Sequence, residues 1–334
     1  MRIAVDAFGS DNAPYPEIEG TVQAIKDNLC ELIYLVGKED VIAKELDKYF
    51  YDSGRIKIVN ASEIITMNDE PSISAKTKRD SSLVKAVNLH KSGEVDAFVS
   101  AGNTGAVMAA SLIYLGRIKN VSRPAIALTL PTHTKFQIIL DVGANVDCEV
   151  EHLVQFAEIG SIYAKEMLNV DNPRVALANI GEESGKGNTL IKNTYKRLAD
   201  HKHLNFIGNI EGKELLKGVT DVIVCDGFVG NIILKTVEGV FFSIFSMMKE
   251  QFSKDWISKI GALLSFPVYA YLRKKLDPSE YGGALLVGLN GLPVVSHGSS
   301  NAKAIKNAIK FASKMSEAGL VAKIQEYFSN NEVS

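Results

Sequence analysis

The chain has 334 residues, 46% of them hydrophobic and 23% charged, with a formal net charge of −2. That balance belongs to a globular protein long enough to bury a full core, and it leaves no basic field for nucleic acid, so any basic contact must be local. Three scattered cysteines, Cys30, Cys148 and Cys225, suggest neither a disulfide framework nor a zinc site and fit a reducing cytoplasm.

The chain enters a strand at once, at Ile3 to Val5, and no uncharged apolar run reaches the roughly 18 residues of a spanning helix, so it is expected to be neither secreted nor transmembrane. Asp6 to Pro14 forms the loop after that strand. Pro16 and Glu17 then start a helix with Ile18, Val22 and Ile25 on one face. A strand at Leu32 to Val36, a helix at Asp40 to Phe50 and a strand at Ile56 to Val59 repeat the βα pattern. Asp69, Glu70 and Pro71 precede a basic segment with Lys76, Lys78 and Arg79. Ser81 and Ser82 then lead a helix carrying Leu83, Val84 and Val87. The basic residues form either a solvated face or a receiver for an acidic partner or a phosphate.

The strand Ala97 to Val99 runs into Ser100, Ala101, Gly102, Asn103, Thr104, Gly105 and Ala106. Small residues before a helix leave backbone N–H groups free, which makes an anion cradle. Taken alone, the same stretch is a plain βα turn capped by Asn103 or Thr104. Ile126 to Leu130 and Ile138 to Leu140 are strands, and the second ends in another small-residue turn, Asp141 to Asp147. An amphipathic helix at Glu151 to Leu168 and a strand at Val175 to Ile180 follow. The loop Gly181 to Asn188 carries Lys186 without P-loop spacing. Phe206 and Ile207 form a short strand, and Val222 to Cys225 another, which ends in Asp226 to Asn231.

Ile232 to Phe252 is richly apolar, and its part up to Met248 is expected to be core plus a homodimer interface. Trp256 to Lys275, an aromatic and basic mixture interrupted by Pro267, fits equally that interface or a protruding helical pair on a membrane surface. Strands at Ala284 to Val287 and Val294 to Ser296 lead to His297, Gly298, Ser299 and Ser300, which cap a closing helix. No linker divides the chain, so residues 1–334 are expected to form one domain with a protruding apolar helical region at about 232–276.

Open α/β sheets bind ligands beyond the C-terminal ends of their strands, and six such loops are expected to converge on one site. They are Asp6 to Pro14, Ser100 to Ala106, Asp141 to Asp147, Gly181 to Asn188, Asp226 to Asn231 and His297 to Ser300. The first turn lacks Gly-x-Gly-x-x-Gly, which argues against NAD.

Together these stretches resemble the bacterial acyl-ACP:phosphate acyltransferases of the PlsX type. The matching residues are Asp6-Ala7 with Gly9, Asp11 and Ala13-Pro14; Asp69 to Pro71; Ser81-Ser82; Ser100 to Ala106; Asp141 to Asp147; Glu151 to Leu153; Lys186 to Asn188; Asp226 to Phe228 with Gly230-Asn231; Tyr281 to Ala284; and His297 to Ser300. The family's first loop reads Met, Gly and His where this chain has Phe8, Ser10 and Asn12, so no role is carried onto Asn12. The resemblance implies a three-layer αβα, Rossmann-like fold related to phosphotransacetylase and isopropylmalate dehydrogenase. It also implies a cytoplasmic homodimer, peripheral at the membrane, without metal or organic cofactor. The implied reaction moves a fatty acyl group from acyl carrier protein to inorganic phosphate, giving acyl phosphate for phospholipid synthesis.

That chemistry needs a site that binds a phosphate carrying roughly two negative charges without quenching its attacking oxygen. It also needs donors for the oxyanion that develops on the thioester carbonyl, typically worth about 3 to 4 kcal/mol each. Lys186 and Asn231 are the candidates for the oxyanion. Asn103, Thr104 and Asn145 are the candidates for phosphate, with the backbone of Gly102, Gly105, Gly143, Ala144, Gly227 and Ser299 lining the loops. His297 protonates the departing thiolate or only caps its helix, and Asp6 steadies its loop. Cys148 and His152, four apart, have the spacing of a thiolate and base, yet phosphate attack needs no acyl-enzyme and the pair is expected to be structural. Lys76, Lys78, Arg79 and Arg273 to Lys275 are candidate docking residues for the acidic carrier protein. A donor of the acyl-CoA type and a non-catalytic membrane scaffold are the alternatives.

Overall fold

The N-terminal strand β1 (Arg2–Asp6) has Ile3, Ala4 and Val5 wholly buried, as an internal strand covered by helices on both faces requires. The computed structural model describes residues 1–330. It continues with α1 (Tyr15–Lys26), β2 (Leu32–Gly37), α2 (Glu39–Leu46), β3 (Ile56–Asn60), α3 (Pro71–Thr77), α4 (Ser82–Lys91), β4 (Ala97–Ser100) and α5 (Thr104–Tyr114). The middle of the chain forms β5 (Ala125–Pro131), β6 (Phe136–Leu140), α6 (Val150–Leu168), β7 (Arg174–Ala178), α7 (Thr189–Ala199), β8 (Asn205–Ile210) and β9 (Val222–Val224). The last elements are α8 (Gly227–Ser253), α9 (Trp256–Leu276), β10 (Ala284–Val287), β11 (Pro293–Val295), α10 (Ala302–Glu317) and α11 (Leu320–Asn330).

All eleven strands join one sheet in the order β3-β2-β1-β4-β11-β10-β5-β6-β9-β7-β8. One buried apolar cluster lies on each face. On one side α1, α6 and α10 supply Ile18, Phe156 and Ile305; on the other α4 and α5 supply Val84 and Val107. This is the expected three-layer αβα architecture.

Strand direction changes what that architecture does. β1, β2, β3, β4 and β11 are mutually parallel. β10 is antiparallel to both β11 and β5, and β5 is antiparallel to β6. β6, β9, β7 and β8 are therefore parallel to one another and opposed to the first set. The C-terminal ends of β1, β4 and β11 open on one edge of the sheet, and those of β6, β7 and β9 open on the other.

Two further expectations are corrected. Of α8 only Gly227 and Gly230 are fully buried, and of α9 no residue; Ile233 and Leu234 pack half-buried against the core, and the rest of Ile232 to Met248 lies outside it. Val240, Phe242, Ile244 and Met247 stand exposed, and among the described residues α8 is the one helix long and apolar enough to cross a bilayer by length and composition. Pro267 does not interrupt α9, which runs through it. The two helices lie against each other with Tyr269 edge-on to Phe245 at 5.4 Å and to Phe252 at 6.4 Å.

Candidate active site

The six expected loops do not converge. The sheet divides them into two groups of three, because the strands they follow point in opposite directions.

On the first edge Asp6, almost wholly buried, accepts the Ser100 hydroxyl at 2.7 Å and the Phe8 N–H at 3.3 Å. Burial pushes its pKa up, and the hydroxyls of Ser82 and Ser100 pull it back. Its role is to tie the loop after β1 to the end of β4, as expected. Gly9 lies against Gly102, where an added Cβ would come within 2.7 Å of the Gly102 nitrogen. Asn103 is fully used: it caps α5 by accepting the Ala106 N–H at 3.2 Å, and its amide donates to the Met67 and Asp69 carbonyls. Thr104 and Gly105, in the exposed first turn of α5, keep N–H groups with no intrahelical acceptor. His297 is exposed, and its Nδ1 is held by the Ser299 hydroxyl at 2.8 Å and the Ser299 N–H at 3.2 Å.

On the second edge the turn after β6 proves to be a cradle already filled by its own carboxylate. Asp141, wholly buried, accepts the N–H groups of Gly143 at 3.2 Å, Ala144 at 3.0 Å and Asn145 at 2.7 Å, and the Asn145 amide at 2.9 Å. It also accepts the Ile126 N–H at 3.0 Å. Burial raises its pKa, and these hydrogen bonds oppose the rise. Gly143, Ala144 and Asn145 are therefore not free to hold phosphate. They shape a turn on which other groups stand. Gly227 opens α8 and donates its N–H to the Asn145 carbonyl at 2.7 Å. Asp226 caps that helix through the Val229 N–H at 2.8 Å.

The groups left unpaired here are long and polar. Asn231, on the second turn of α8, stands over Gly143, whose added Cβ would lie 3.9 Å from the Asn231 side chain. Its amide and the Lys186 ammonium have no side-chain partner among the described residues. The Lys186 stem folds against Gly181, and its carbonyl is held by the Asn179 amide at 3.1 Å. Arg123, just before β5, is a third unpaired polar group here, and a cation, that the sequence did not single out. The backbone on either side of it is fixed, since Ser122 donates to Gln155 at 2.8 Å and the Pro124 carbonyl accepts Asn145 at 2.8 Å. Its charge reaches Cys148 and His152. An arginine before a proline carries no functional pattern of its own, so only the fold could find it.

Cys148 and His152 form no catalytic pair. The His152 Nδ1 accepts the Glu149 N–H at 2.9 Å as a helix cap, and the thiol faces the Asn145 carbonyl at 3.6 Å. Burial and the nearby Asp141 and Asp226 push the thiol up to about 12, which keeps it protonated and inert.

This fold is shared with acyl-transferring enzymes. The EutD phosphotransacetylase from Staphylococcus aureus superposes with a TM-score of 0.60 at 14% identity, covering 95% of this chain and 94% of its own. A phosphotransacetylase from Streptococcus pyogenes does so at 0.59 and 17%, over 95% and 94%. The architecture is that of a phosphotransacetylase-type α/β protein. The chain belongs to the fatty acid synthesis protein family, whose profile matches residues 1–323. Among its relatives, a phosphate acyltransferase from Dictyoglomus turgidum is 50% identical over 98% of this chain and 97% of its own. One from Clostridium perfringens is 46% identical over 98% and 96%.

Proposed function

We propose that this enzyme transfers a fatty acyl group from the thioester of acyl carrier protein to inorganic phosphate. The observation that carries the reading is half-identity, over nearly the whole chain, to relatives named phosphate acyltransferase. The unpaired Lys186, Asn231 and Arg123 on one sheet edge support it chemically.

A phosphate oxygen attacks the thioester carbonyl, the carbonyl π pair moves onto oxygen, and collapse of that oxyanion expels the carrier thiolate and leaves acyl phosphate. Asn231 and Lys186 donate to the oxyanion, and the Arg123 guanidinium holds the phosphate. A thiol of ordinary pKa near 8.5 leaves as thiolate without a general acid. His297 lies on the opposite edge of the same sheet, so within one protomer the reaction runs without it. Lys76, Arg79, Arg273 and Lys274 offer basic docking for an acidic carrier, whereas Lys78 is paired with Asp69 at 2.7 Å and Lys275 donates to the His133 carbonyl at 2.9 Å.

The exposed faces of α8 and α9 suit a homodimer contact and a lipid surface, with the helices lying on the bilayer rather than crossing it: the first turns of α8 are part of the site, and α9 carries Arg273 to Lys275 at its end. The test is to incubate the protein with acyl carrier thioester and phosphate and trap the product with hydroxylamine. Phosphate-dependent hydroxamate is expected, and none would end the reading. Replacing the carrier by CoA in the same assay decides the donor.

A further inference from the structure

Large apolar side chains stand in solvent around the polar groups of the second edge. Val146, in the turn after β6, is 61% exposed, Ile180, just past β7, 82%, and Phe228 and Ile232, in the first turns of α8, 57% and 50%. Register brings them together. Leu140 of β6 and Leu177 of β7 both pair with Val224 of β9, so Gly143, Gly227 and Ile180, each three residues on, leave the sheet at one level. Neighbouring strands lie about 4.8 Å apart. Val146 and Phe228 directly follow the bonded pair Asn145 and Gly227, and Ile180 adjoins Gly181, against which the Lys186 stem lies. Phe228 and Ile232 share one face of α8 on either side of the helix position that carries Asn231.

An exposed apolar collar around unpaired polar groups calls for an occupant. A second copy or a bilayer seated permanently on Ile180 and Phe228 would close the rim through which phosphate must enter. A chain that arrives with the substrate covers them only during the reaction, and in doing so it keeps water from the acyl phosphate. We propose that Val146, Ile180, Phe228 and Ile232 are the seat for the first carbons of the donor's acyl chain. The assignment rests on acyl transfer taking place at Lys186 and Asn231.

Two measurements test it. Calorimetric binding of octylphosphonate is compared with that of methylphosphonate, which carries the same head group. Burial favours each added methylene roughly fourfold, so the wild type should bind the octyl compound at least about 100-fold more tightly. In the double variant Ile180→Ser, Phe228→Ser that preference should fall to below about tenfold, and the ratio of kcat/KM for octanoyl over acetyl thioesters should drop about tenfold. An equal preference in wild type and variant overturns the seat. So does a variant that loses vesicle binding or dimerisation while its chain-length ratio stays put, since the collar then covers a bilayer or a second copy. If the wild type makes no acyl phosphate from any thioester, the proposed reaction fails, and the phosphonate comparison still decides the seat.

Discussion

The carboxylate of Asp141 is held twice by Asn145, through its backbone N–H at 2.7 Å and its side-chain amide at 2.9 Å. With the N–H groups of Gly143, Ala144 and Ile126 this gives one buried carboxylate five donors. Asp141→Ala strands those donors, and each buried donor left without an acceptor costs about 1 to 3 kcal/mol. The variant is expected to lose at least about 3 kcal/mol in urea unfolding, even allowing for water entering the gap. A loss below 1 kcal/mol, on the same scale, would mean that the turn holds itself.

Lys186 is the opposite case, an exposed side chain that nothing in the protomer needs. Lys186→Ala is expected to lower kcat/KM in the hydroxamate assay by about two to three orders of magnitude, the usual effect of removing one oxyanion donor. Its thermal midpoint should match the wild type. Near-normal turnover would remove Lys186 from the mechanism.

Much of this was legible in the sequence, for a physical reason. Strands buried on both faces must be continuous apolar runs, and Ile3 to Val5, Ala97 to Val99 and Val222 to Val224 read that way directly. The small-residue turns after them stood out for the same reason. What could not be read was direction. β10 and β11 return from the far C-terminus and insert between β4 and β5, and nothing local in Ala284 to Val295 states that β10 runs antiparallel. The two reversals at β10 cancel, so the antiparallel pair of β5 and β6 is what turns the second set around and separates His297 from Lys186. Nor does a sequence reveal that the Asp141 turn spends its N–H groups on its own carboxylate. The apolar run at Ile232 to Met248 has core composition, and only the fold leaves most of it uncovered.

Glu17 on α1 is wholly buried, its Oε1 accepts the Ser10 N–H at 3.2 Å, and its Oε2 has no partner. Burial, with the nearby Asp6 adding to it, lifts its pKa from 4.5 to about 7. The folded protein thus keeps a proton that the unfolded chain has released, and stability falls as pH rises from about 4.5 to about 7. The loss from this group is on the order of 3 kcal/mol, complete above pH 7. Glu17→Gln should therefore unfold at higher urea than the wild type at pH 8, with the gap closing toward pH 4.5. Parallel stability curves for the two proteins would show that Glu17 is not the proton carrier.

The helix that carries Glu17 is positioned by Gly20, where α1 crosses α10. A Cβ at Gly20 would lie 2.6 Å from the Ala302 carbonyl oxygen and 2.7 Å from the Ile305 Cβ, and neither atom can swing aside. Gly20→Ala gains about 1 kcal/mol of helix propensity but forces the helices apart, an overpacking that costs about 1 to 3 kcal/mol. It is expected to destabilise. Gly239, inside α8, has nothing within 4 Å of its added Cβ. There Gly→Ala meets no wall, and the same substitution should stabilise by about 0.5 to 1 kcal/mol. Opposite signs in urea unfolding are the expected outcome, because tertiary contact decides the one position and backbone entropy the other. If both variants stabilised, α1 and α10 would not be packed as closely as the structure has them.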